Sequence, residues 1–374
     1  MKKILSLVLC LTMLVSVFVM AGCQKTEDEP QKEPQTYEIA VVTDVGQLMD
    51  KGFNQGTYEG AKAYAEANNK TYKYYQPANG SDATDEDRVA AMKQAVNNGA
   101  KVIVTPGFLQ ETAIKTVAAE NPDVKFIFID GWDLGIANVV GVSYKEQESG
   151  YLAGYAAVVE GYTKLGYSGG GGGSNPACNR YGFGFVQGAA AAAKKLNKEI
   201  SIKFSFQNGA SFSASDALQT QISGWYQTGT EVVFVCGGSM FDSVKAAAAT
   251  FENAKIIGVD VDQSFESDRV ITSAIKGLSE SVQYVLGKLY AGEWESLGGS
   301  INLGASDNAT GIPTATFADT LKVWTLDEYN TLNDAIKAGT VVPAADTPAD
   351  ANNVDWLNAW IADNGYTNVT IDFE

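Results

Sequence analysis

The body of the chain begins with Tyr37-Glu38-Ile39-Ala40-Val41-Val42-Thr43, an apolar, β-branched run that ends in the turn Asp44-Val45-Gly46. A stretch with helical spacing follows at residues 53–68. Short apolar runs and amphipathic stretches then alternate along most of the chain. This alternation is typical of parallel strands joined by helices that cover both faces of a sheet. The sequence therefore predicts an α/β fold.

The alternation of strands and helices runs through the chain twice. A chain of 374 residues is long enough for two packed lobes, each with its own core. We therefore expect two doubly wound, Rossmann-like lobes. The pattern is less regular beyond residue 305: residues 322–324 suggest a short strand, and residues 326–338 and 353–362 suggest helices.

The first 22 residues have the order of a secretory signal peptide. Lys2 and Lys3 precede an apolar run at residues 4–20, and two small residues precede Cys23. This site resembles the cleavage site of bacterial lipoproteins, although an uncleaved N-terminal anchor is the alternative. We expect cleavage before Cys23 and lipid on its thiol, which would anchor the protein to the outer face of the cell membrane. Residues 24–35 carry no apolar side chain, and this composition predicts that residues 23–36 form a flexible tether.

The composition excludes several classes of function. The formal net charge of −17 at pH 7 repels nucleic acid, so no nucleic-acid partner is expected. The chain contains no histidine, which removes Ser-His-Asp and Cys-His catalysis and the commonest metal ligand. We therefore predict no catalytic residue, metal or cofactor. Cys178 and Cys236 would remain in the mature chain, and whether they form a disulfide or stay as buried thiols is left open.

Two motifs suggest other functions. The glycine tract at residues 169–173 lacks the Gly-Lys-Ser or Gly-Lys-Thr of a phosphate-binding loop, so it is interpreted as a strand-to-helix connection. Asp260 and Asp262 would share one face of a strand at a spacing that glycosidase carboxylates also use. An exported glycoside or nucleoside hydrolase is therefore an alternative to a binding protein.

Acidic residues, glycines and aromatic residues recur where the predicted strands end. Asp44, Asp130 and Asp260 lie at strand ends, Gly238 follows another strand, and Phe53 begins a helix. In open parallel sheets, ligands bind at the carboxyl ends of the strands. Carboxylates accept hydrogen bonds from hydroxyls and aromatic faces stack on rings, so this mixture suits an uncharged ligand that carries both.

Several of these segments together resemble the basic membrane protein family, also called PnrA-like: lipid-anchored substrate-binding proteins of nucleoside ABC importers. The matching segments are Asp44-Val45-Gly46, Asp50-Lys51-Gly52-Phe53-Asn54, Ile129-Asp130-Gly131, Tyr144-Lys145-Glu146-Gln147-Glu148, Gly258-Val259-Asp260-Val261-Asp262-Gln263 and Thr272-Ser273-Ala274-Ile275-Lys276. Gly52 stands where the family commonly has serine, and the turn Gly237-Gly238-Ser239-Met240 also departs from the family pattern.

The resemblance implies a type I periplasmic-binding-protein-like fold, with two lobes joined by hinge strands. The first lobe would contain residues 37–143 and about 262–315, and the second residues 144–261 and about 316–374. The protein is expected to be a monomer that binds a purine nucleoside (inosine, adenosine or guanosine) and delivers it to an ABC permease. The alternative within the same class is a lipoprotein that binds or senses a sugar or another small ligand.

The resemblance also assigns roles to residues. Phe53 would stack on the base, while Asp44 and Asn54 would reach its polar edge. The ribose would be held by Asp130, Asp260 and Lys276, and Gly238 would let the backbone approach the ligand. A second stacking aromatic residue is expected, and the candidates are Phe241, Trp132 and Tyr181.

Overall fold

A computed structural model describes residues 36–45 and 47–374. The described residues do not include the predicted signal peptide, Cys23, which is predicted to carry the lipid, or nearly all of the predicted tether. None of the described helices is both long and apolar enough to span a membrane.

The described residues form thirteen strands and eleven α-helices. The strands are β1 (Ile39–Val42), β2 (Tyr72–Tyr75), β3 (Val102–Pro106), β4 (Lys125–Ile129), β5 (Val139–Tyr144), β6 (Lys164–Gly169), β7 (Ile200–Ser205), β8 (Val232–Cys236), β9 (Lys255–Asp260), β10 (Val270–Lys276), β11 (Ser300–Leu303), β12 (Thr310–Gly311) and β13 (Val369–Phe373). The helices are α1 (Phe53–Ala67), α2 (Asp85–Asn97), α3 (Glu111–Glu120), α4 (Glu146–Val159), α5 (Pro176–Leu196), α6 (Asp216–Gln227), α7 (Met240–Ala248), α8 (Leu278–Tyr290), α9 (Phe317–Thr320), α10 (Leu326–Lys337) and α11 (Asp355–Asp363).

The strands form two sheets, one in each lobe. The first sheet has the order β11-β5-β4-β3-β1-β2, and all its pairs are parallel. The second has the order β12-β10-β9-β8-β6-β7-β13, with the short β12 antiparallel to β10 and the other pairs parallel. Both sheets are therefore doubly wound, which places the carboxyl ends of their central strands along one edge of each lobe.

The apolar runs of the sequence become the centres of these sheets. In β1, Ile39 and Val41 pack in a core with α1 and α8, while Ala40 and Val42 pack in a core with α2 and α3 on the other face. Successive side chains of a strand point to opposite faces, so a strand covered on both sides is apolar at every position. The second sheet is covered in the same way by α4 and α5 on one face and by α6 and α7 on the other.

The chain crosses between the lobes after β5, after β10 and between β11 and β12. The sequence-based division, which returns the chain to the first lobe at about residue 262, is wrong for β10. This strand pairs with β9 from Val270 to Ile275, so it belongs to the second sheet. The chain re-enters the first lobe only at α8, which packs against α1. A short acidic loop between β9 and β10 gives the sequence no sign that the two strands are neighbours.

The strand predicted at residues 322–324 is also wrong. The Glu160 carboxylate accepts hydrogen bonds from the backbone N–H groups of Lys322, Val323 and Trp324, at 2.9, 2.9 and 2.7 Å. These donors therefore bind a side chain instead of a neighbouring strand. The helices predicted at residues 326–338 and 353–362 correspond to α10 and α11.

Candidate functional site

A cleft of about 620 Å³, measured to its open mouth, lies between the two lobes at the carboxyl ends of their strands. All seven residues predicted to bind the ligand contribute to its walls: Asp44, Phe53, Asn54, Asp130, Gly238, Asp260 and Lys276. The structure thus brings together residues that are up to 232 positions apart in the chain.

A buried ion cluster forms the floor of the cleft. The Lys276 ammonium, on a side chain that is only 2% exposed, donates hydrogen bonds to both Asp130 oxygens at 2.9 and 2.7 Å. It also lies 3.5 Å from Asp260 Oδ1 and 3.9 Å from Glu146 Oε1. Arg180 completes the cluster by donating from Nε to Glu146 Oε2 at 2.6 Å. Three carboxylates thus surround one buried ammonium.

The excess of carboxylates changes the acidity of the cluster. Burial raises the pKa of Asp130 from 3.8 to about 6; the Lys276 charge opposes this shift, and the charges of Glu146 and Asp260 add to it. Burial also raises the pKa of Asp260, again against the effect of Lys276. Burial alone would lower the pKa of Lys276, but its carboxylate neighbours outweigh burial and raise it. Lys276 is therefore protonated at neutral pH, whereas the raised pKa of Asp130 lies about one pH unit below neutrality.

Asp130 and Asp260 occupy equivalent positions in the two lobes. Asp130 directly follows β4 and Asp260 ends β9. Each of these strands is third from an edge of its own sheet, counted from β11 in the first sheet and from β12 in the second. Both residues have left-handed backbones, with φ of 57° and 68°. This conformation costs a non-glycine residue about 1–3 kcal/mol and is concentrated at functional sites. The two lobes therefore each direct one strained carboxylate at the same ammonium.

The start of α1 forms a second polar wall. Asp50 accepts hydrogen bonds from the backbone N–H groups of Gly52, Asn54 and Gln55 at 2.9–3.1 Å, and from Asn54 Nδ2 at 3.1 Å. The amide nitrogen of Asn54 is thereby fixed, and its buried Oδ1 has no hydrogen-bond partner among the described residues. Since Asn54 lines the cleft, it presents an acceptor that a ligand N–H or O–H can satisfy.

Asp50 is a cleft residue to which the sequence analysis gave no role. It lies three positions before the first residue of α1, and an acidic residue just before a helical stretch is a typical capping signal. The sequence thus carries a capping signal at Asp50, but it does not show that this residue lines the cleft.

Four aromatic residues line the cleft: Phe53, Phe108, Tyr181 and Phe212. Tyr181 is the one of the three proposed second aromatics that reaches it, and its hydroxyl donates to Asp260 at 3.5 Å. Phe241 is buried in the core between the second sheet and α7, and Trp132 packs on Phe128 with 39% of its surface exposed. These two candidates are wrong because neither lines the cleft.

Phe212, for which the sequence predicted no role, packs against Gly170 and Gly237. A Cβ atom on Gly170 would lie 2.4 Å from Phe212 Cδ1, and one on Gly237 would lie 3.2 Å from the same atom. Phe212 itself has a left-handed backbone, with φ of 56°. The glycine tract connects β6 to α5 through the turn Gly171–Gly173, in agreement with the strand-to-helix interpretation, and it also makes room for this ring. Phe212 lies in a polar loop without periodicity, so the sequence gave no signal for it.

In the part of the chain that the structure describes, Cys178 and Cys236 are free, buried thiols. Both line the cleft, and Cys178 Sγ donates to the Cys236 carbonyl oxygen at 3.6 Å. The proposed carboxylate pair is not formed: Asp260 faces the cleft, whereas Asp262 lies outside its walls and accepts a hydrogen bond from Thr316 at 2.7 Å. Among the described residues, no group of three or more acidic or cysteine side chains is arranged to hold a metal ion.

Comparison with known proteins identifies the family. The family model "ABC transporter substrate-binding protein PnrA-like" matches residues 37–341. The chain belongs to this family. It is 29% identical over 329 residues, 79% of this chain and 90% of the relative, to the ABC transporter nucleoside-binding protein BmpA of Lactococcus lactis. It is 30% identical over 244 residues, 63% of this chain and 69% of the relative, to basic membrane protein B of Borreliella burgdorferi. The family resemblance found in the sequence is therefore confirmed.

The fold is shared with solved binding proteins. A crystal structure of an ABC transporter solute-binding protein from Aeropyrum pernix superposes with a TM-score of 0.67 over 86% of this chain and 98% of the other, at 20% identity. The predicted α/β fold with two Rossmann-like lobes of the type I periplasmic-binding-protein kind is thereby confirmed. The chain is a substrate-binding protein of the ABC transporter class, a family that works outside the cytoplasm.

Proposed function

We propose that this protein binds a purine nucleoside between its lobes and delivers it to an ABC permease, while lipid on Cys23 holds it at the outer face of the membrane. The observation that carries the proposal is the composition of the cleft: buried carboxylates, aromatic rings and a fixed acceptor line the same cavity. A relative that is named as nucleoside-binding supports the same ligand class.

The ion cluster is suited to the ribose. An ionised carboxylate accepts hydrogen bonds only, and its two oxygens together offer about four lone-pair positions. Lys276 occupies part of this capacity on Asp130 and approaches Asp260 at 3.5 Å, so both carboxylates retain acceptors for the hydroxyls of a vicinal diol. Because the ammonium offsets part of their charge, the carboxylates can stay ionised although they are buried.

The aromatic wall of the cleft is suited to a flat base. Phe53 comes from the first lobe and Phe212 from the second, so a base between them would touch both lobes when the cleft is closed. Asn54 Oδ1 and the Asp44 carboxylate are acceptors, and purine bases offer ring N–H or exocyclic amino donors to such groups. A free sugar has hydroxyl donors but no aromatic face, and therefore would leave this wall unused.

A binding titration with inosine, adenosine, guanosine and ribose tests the proposal. We expect at least one nucleoside to bind more tightly than ribose. Tight binding of ribose without a response to any nucleoside would contradict nucleoside binding and favour the sugar alternative. Product formation from a nucleoside would instead favour a hydrolase, and the Asp260→Asn variant would then have to lose it.

The Phe53→Ala variant tests the stacking role. Loss of one aromatic platform should weaken nucleoside binding by about 1–3 kcal/mol. Tyr284→Ala is a suitable control, because Tyr284 is 50% exposed on α8 and does not line the cleft. Equal affinities of the Phe53→Ala and wild-type proteins would remove Phe53 from the site.

Membrane attachment has its own test. The Cys23→Ala variant should lose incorporation of labelled fatty acid and appear in the soluble extracytoplasmic fraction. Unchanged size and membrane association of this variant would contradict the lipid anchor and leave the ligand proposal untouched.

A further inference from the structure

Lys51 belongs to the matching segment at residues 50–54, yet it does not line the cleft. It lies in the first lobe, between β1 and α1, and its side chain extends to the second lobe. There its ammonium lies 3.2 Å from Asp242 Oδ1 on α7 and 3.1 Å from Glu266 Oε2 in the loop between β9 and β10. One side chain therefore joins the two lobes at the rim of the cleft.

The main chain of Lys51 is held across the same boundary. Its carbonyl oxygen accepts a hydrogen bond of 2.9 Å from Gln263 Nε2, which belongs to the second lobe. Gln263 is 1% exposed and is itself fixed, since its Oε1 accepts from the Val259 N–H and its own N–H donates to Ser273, each at 3.0 Å. A rigid amide of one lobe thus holds the backbone of the other.

The backbone of Lys51 is strained where it makes these contacts. Its φ is 60°, in the left-handed region that a lysine adopts at a cost. The residue before it is Asp50, which caps α1 and orients Asn54, and α1 begins with Phe53. The contacts of Lys51 with the second lobe therefore act directly on the segment that presents two proposed ligand-binding residues.

We infer that Lys51 is an inter-lobe latch: it binds the second lobe only when the lobes are together, and in doing so it fixes the start of α1 in its ligand-binding conformation. Lys51 touches no ligand and is a positioning residue. A group that interacts with one conformation and not with the other shifts the equilibrium towards the first, so the latch favours the closed form. The inference does not depend on which ligand occupies the cleft.

Lys245 provides a matched control within the same cluster. Its ammonium lies 3.4 Å from Asp242 Oδ1 and 3.7 Å from Glu266 Oε2, the two oxygens that Lys51 contacts. The Lys245 side chain is 31% exposed and that of Lys51 is 33% exposed. Lys245 lies on α7, however, so all its contacts stay within the second lobe. Lys51→Met and Lys245→Met thus remove the same charge from the same acidic pair, and only the first cuts a connection between lobes.

Stopped-flow measurement of nucleoside dissociation separates these two variants. We expect the nucleoside to dissociate from Lys51→Met about two- to tenfold faster than from the wild-type protein. The effect is modest because partly exposed ion pairs contribute little free energy each. Lys245→Met should dissociate at nearly the wild-type rate. Added salt should accelerate dissociation from the wild-type protein and from Lys245→Met more than from Lys51→Met, because screening weakens exposed pairs. Equal dissociation rates of the two variants would overturn the latch.

The Lys51→Gly variant separates the side chain from the backbone. Glycine adopts positive φ without strain, so this variant keeps the backbone conformation and the bond to Gln263 while losing both ion pairs. Faster dissociation from Lys51→Gly assigns the latch to the ammonium. A wild-type dissociation rate in this variant would overturn the role of the ammonium.

Small-angle X-ray scattering without ligand tests the latch independently of the proposed function. At low ionic strength, Lys51→Met should have a larger radius of gyration than the wild-type protein and Lys245→Met, because its lobes separate more. If no nucleoside binds the wild-type protein, the proposed function fails, and this measurement still decides the latch. Equal radii for the three proteins would overturn it.

Discussion

At the scale of single residues, Lys276 carries the heaviest electrostatic demand in the cleft. Its substitution by methionine would leave Asp130, Asp260 and Glu146 facing one another without a central positive charge. Breaking a buried ion pair by removing one partner typically costs about 3–5 kcal/mol, because the remaining charges stay buried. We therefore expect Lys276→Met to lower the free energy of unfolding by about this amount and to abolish ligand binding.

Denaturant unfolding checks this prediction. Lys288→Met is the control, because the Lys288 ammonium pairs with the half-exposed Glu293 and lies over the exposed Tyr284 ring, so its loss should change stability little. Lys276→Met combined with Asp130→Asn should recover part of the lost stability, since it removes one of the uncompensated carboxylates. A double variant no more stable than Lys276→Met alone would contradict the proposed repulsion.

The second prediction at this scale concerns pH. Asp130, which faces Lys276, Glu146 and Asp260, has its pKa raised to about 6 by burial. The ionised carboxylate accepts more and stronger hydrogen bonds from ligand hydroxyls than the protonated acid does, so binding should favour the ionised form and release a proton near this pH. Affinity should therefore be highest above the pKa of Asp130 and fall by up to about tenfold per pH unit below it.

The stability of the ligand-free protein should change in the opposite direction. A raised pKa means that the folded state holds the Asp130 proton more tightly than the unfolded state, whose value is near 3.8. The stabilisation from this group is thus complete below pH 3.8 and is lost as the pH rises to about 6.

Calorimetric titrations in buffers of different ionisation enthalpy measure the proton that is released when the ligand binds. The Asp130→Asn variant should release none, and an unchanged release would assign the proton to another group.

The sequence located the ligand-binding candidates better than it located their surroundings. Asp130 and Asp260 could be found because strand ends are visible as apolar runs that stop at a polar residue. Phe212 could not, because its position depends on contacts with glycines that lie 42 positions before it and 25 after it. The orientation of Asn54 could not be predicted either, since it follows from a hydrogen bond to the Asp50 side chain.

At the scale of secondary-structure elements, the turn between β6 and α5 links packing to the site. Gly170 has an ordinary backbone, with φ of −77°, so only space prevents a larger residue there. In Gly170→Ala the new methyl group would meet the Phe212 ring at 2.4 Å. Overpacking of this kind costs about 1–3 kcal/mol, and displacement of the ring should also weaken nucleoside binding.

Measurements of stability and affinity separate the two effects. Phe212→Ala added to Gly170→Ala should restore stability, because it removes the clash, but should not restore affinity. Gly224→Ala in α6 is the control, since its added methyl group meets no atom within 4 Å. Alanine there should stabilise the protein by about 0.5–1 kcal/mol and leave affinity unchanged. Wild-type affinity in Gly170→Ala would show that Phe212 does not contact the ligand.

The elements that the sequence missed lie mostly towards the edges of the sheets. The prediction recovered β1 because strands buried on both faces are apolar at nearly every position, and β3, β8 and β9 have the same all-buried pattern. The edge strands β11 and β13 alternate with exposed residues over only four or five positions, and β12 has two residues. Strands this short are defined by their partners, so single-sequence patterns carry little information about them.

The C-terminal segment shows the same dependence on tertiary contacts. Residues 342–374 follow the part matched by the family model, and they wrap around the second lobe. There β13 pairs with β7, and Trp356 and Trp360 pack edge-on against Phe183 of α5. The Ala351 N–H donates to the Gly173 carbonyl at 2.9 Å, which connects this segment to the glycine turn beside the cleft.

At the scale of the whole molecule, the ligand is expected to act as a bridge. The first lobe contributes Asp130 and the second contributes Asp260, so a ligand that binds both carboxylates favours the closed cleft. A ligand present at 100 times its dissociation constant should raise the free energy of unfolding by about 2.7 kcal/mol. The radius of gyration should decrease at the same time, because the lobes approach each other.

The bridge predicts that each lobe is needed to a similar extent. Asp130→Asn and Asp260→Asn each replace a charged acceptor by a neutral amide, and hydrogen bonds to charged groups contribute about 1.5–3 kcal/mol. Both variants should fold, because Lys276 keeps two carboxylate neighbours in each case. Calorimetric titration with the tightest-binding nucleoside should therefore show losses of similar size. A loss confined to Asp130→Asn would mean that the ligand is held by the first lobe alone. Closure would then have to be driven by contacts between the lobes such as those of Lys51, and Lys51→Met would prevent the decrease in radius of gyration.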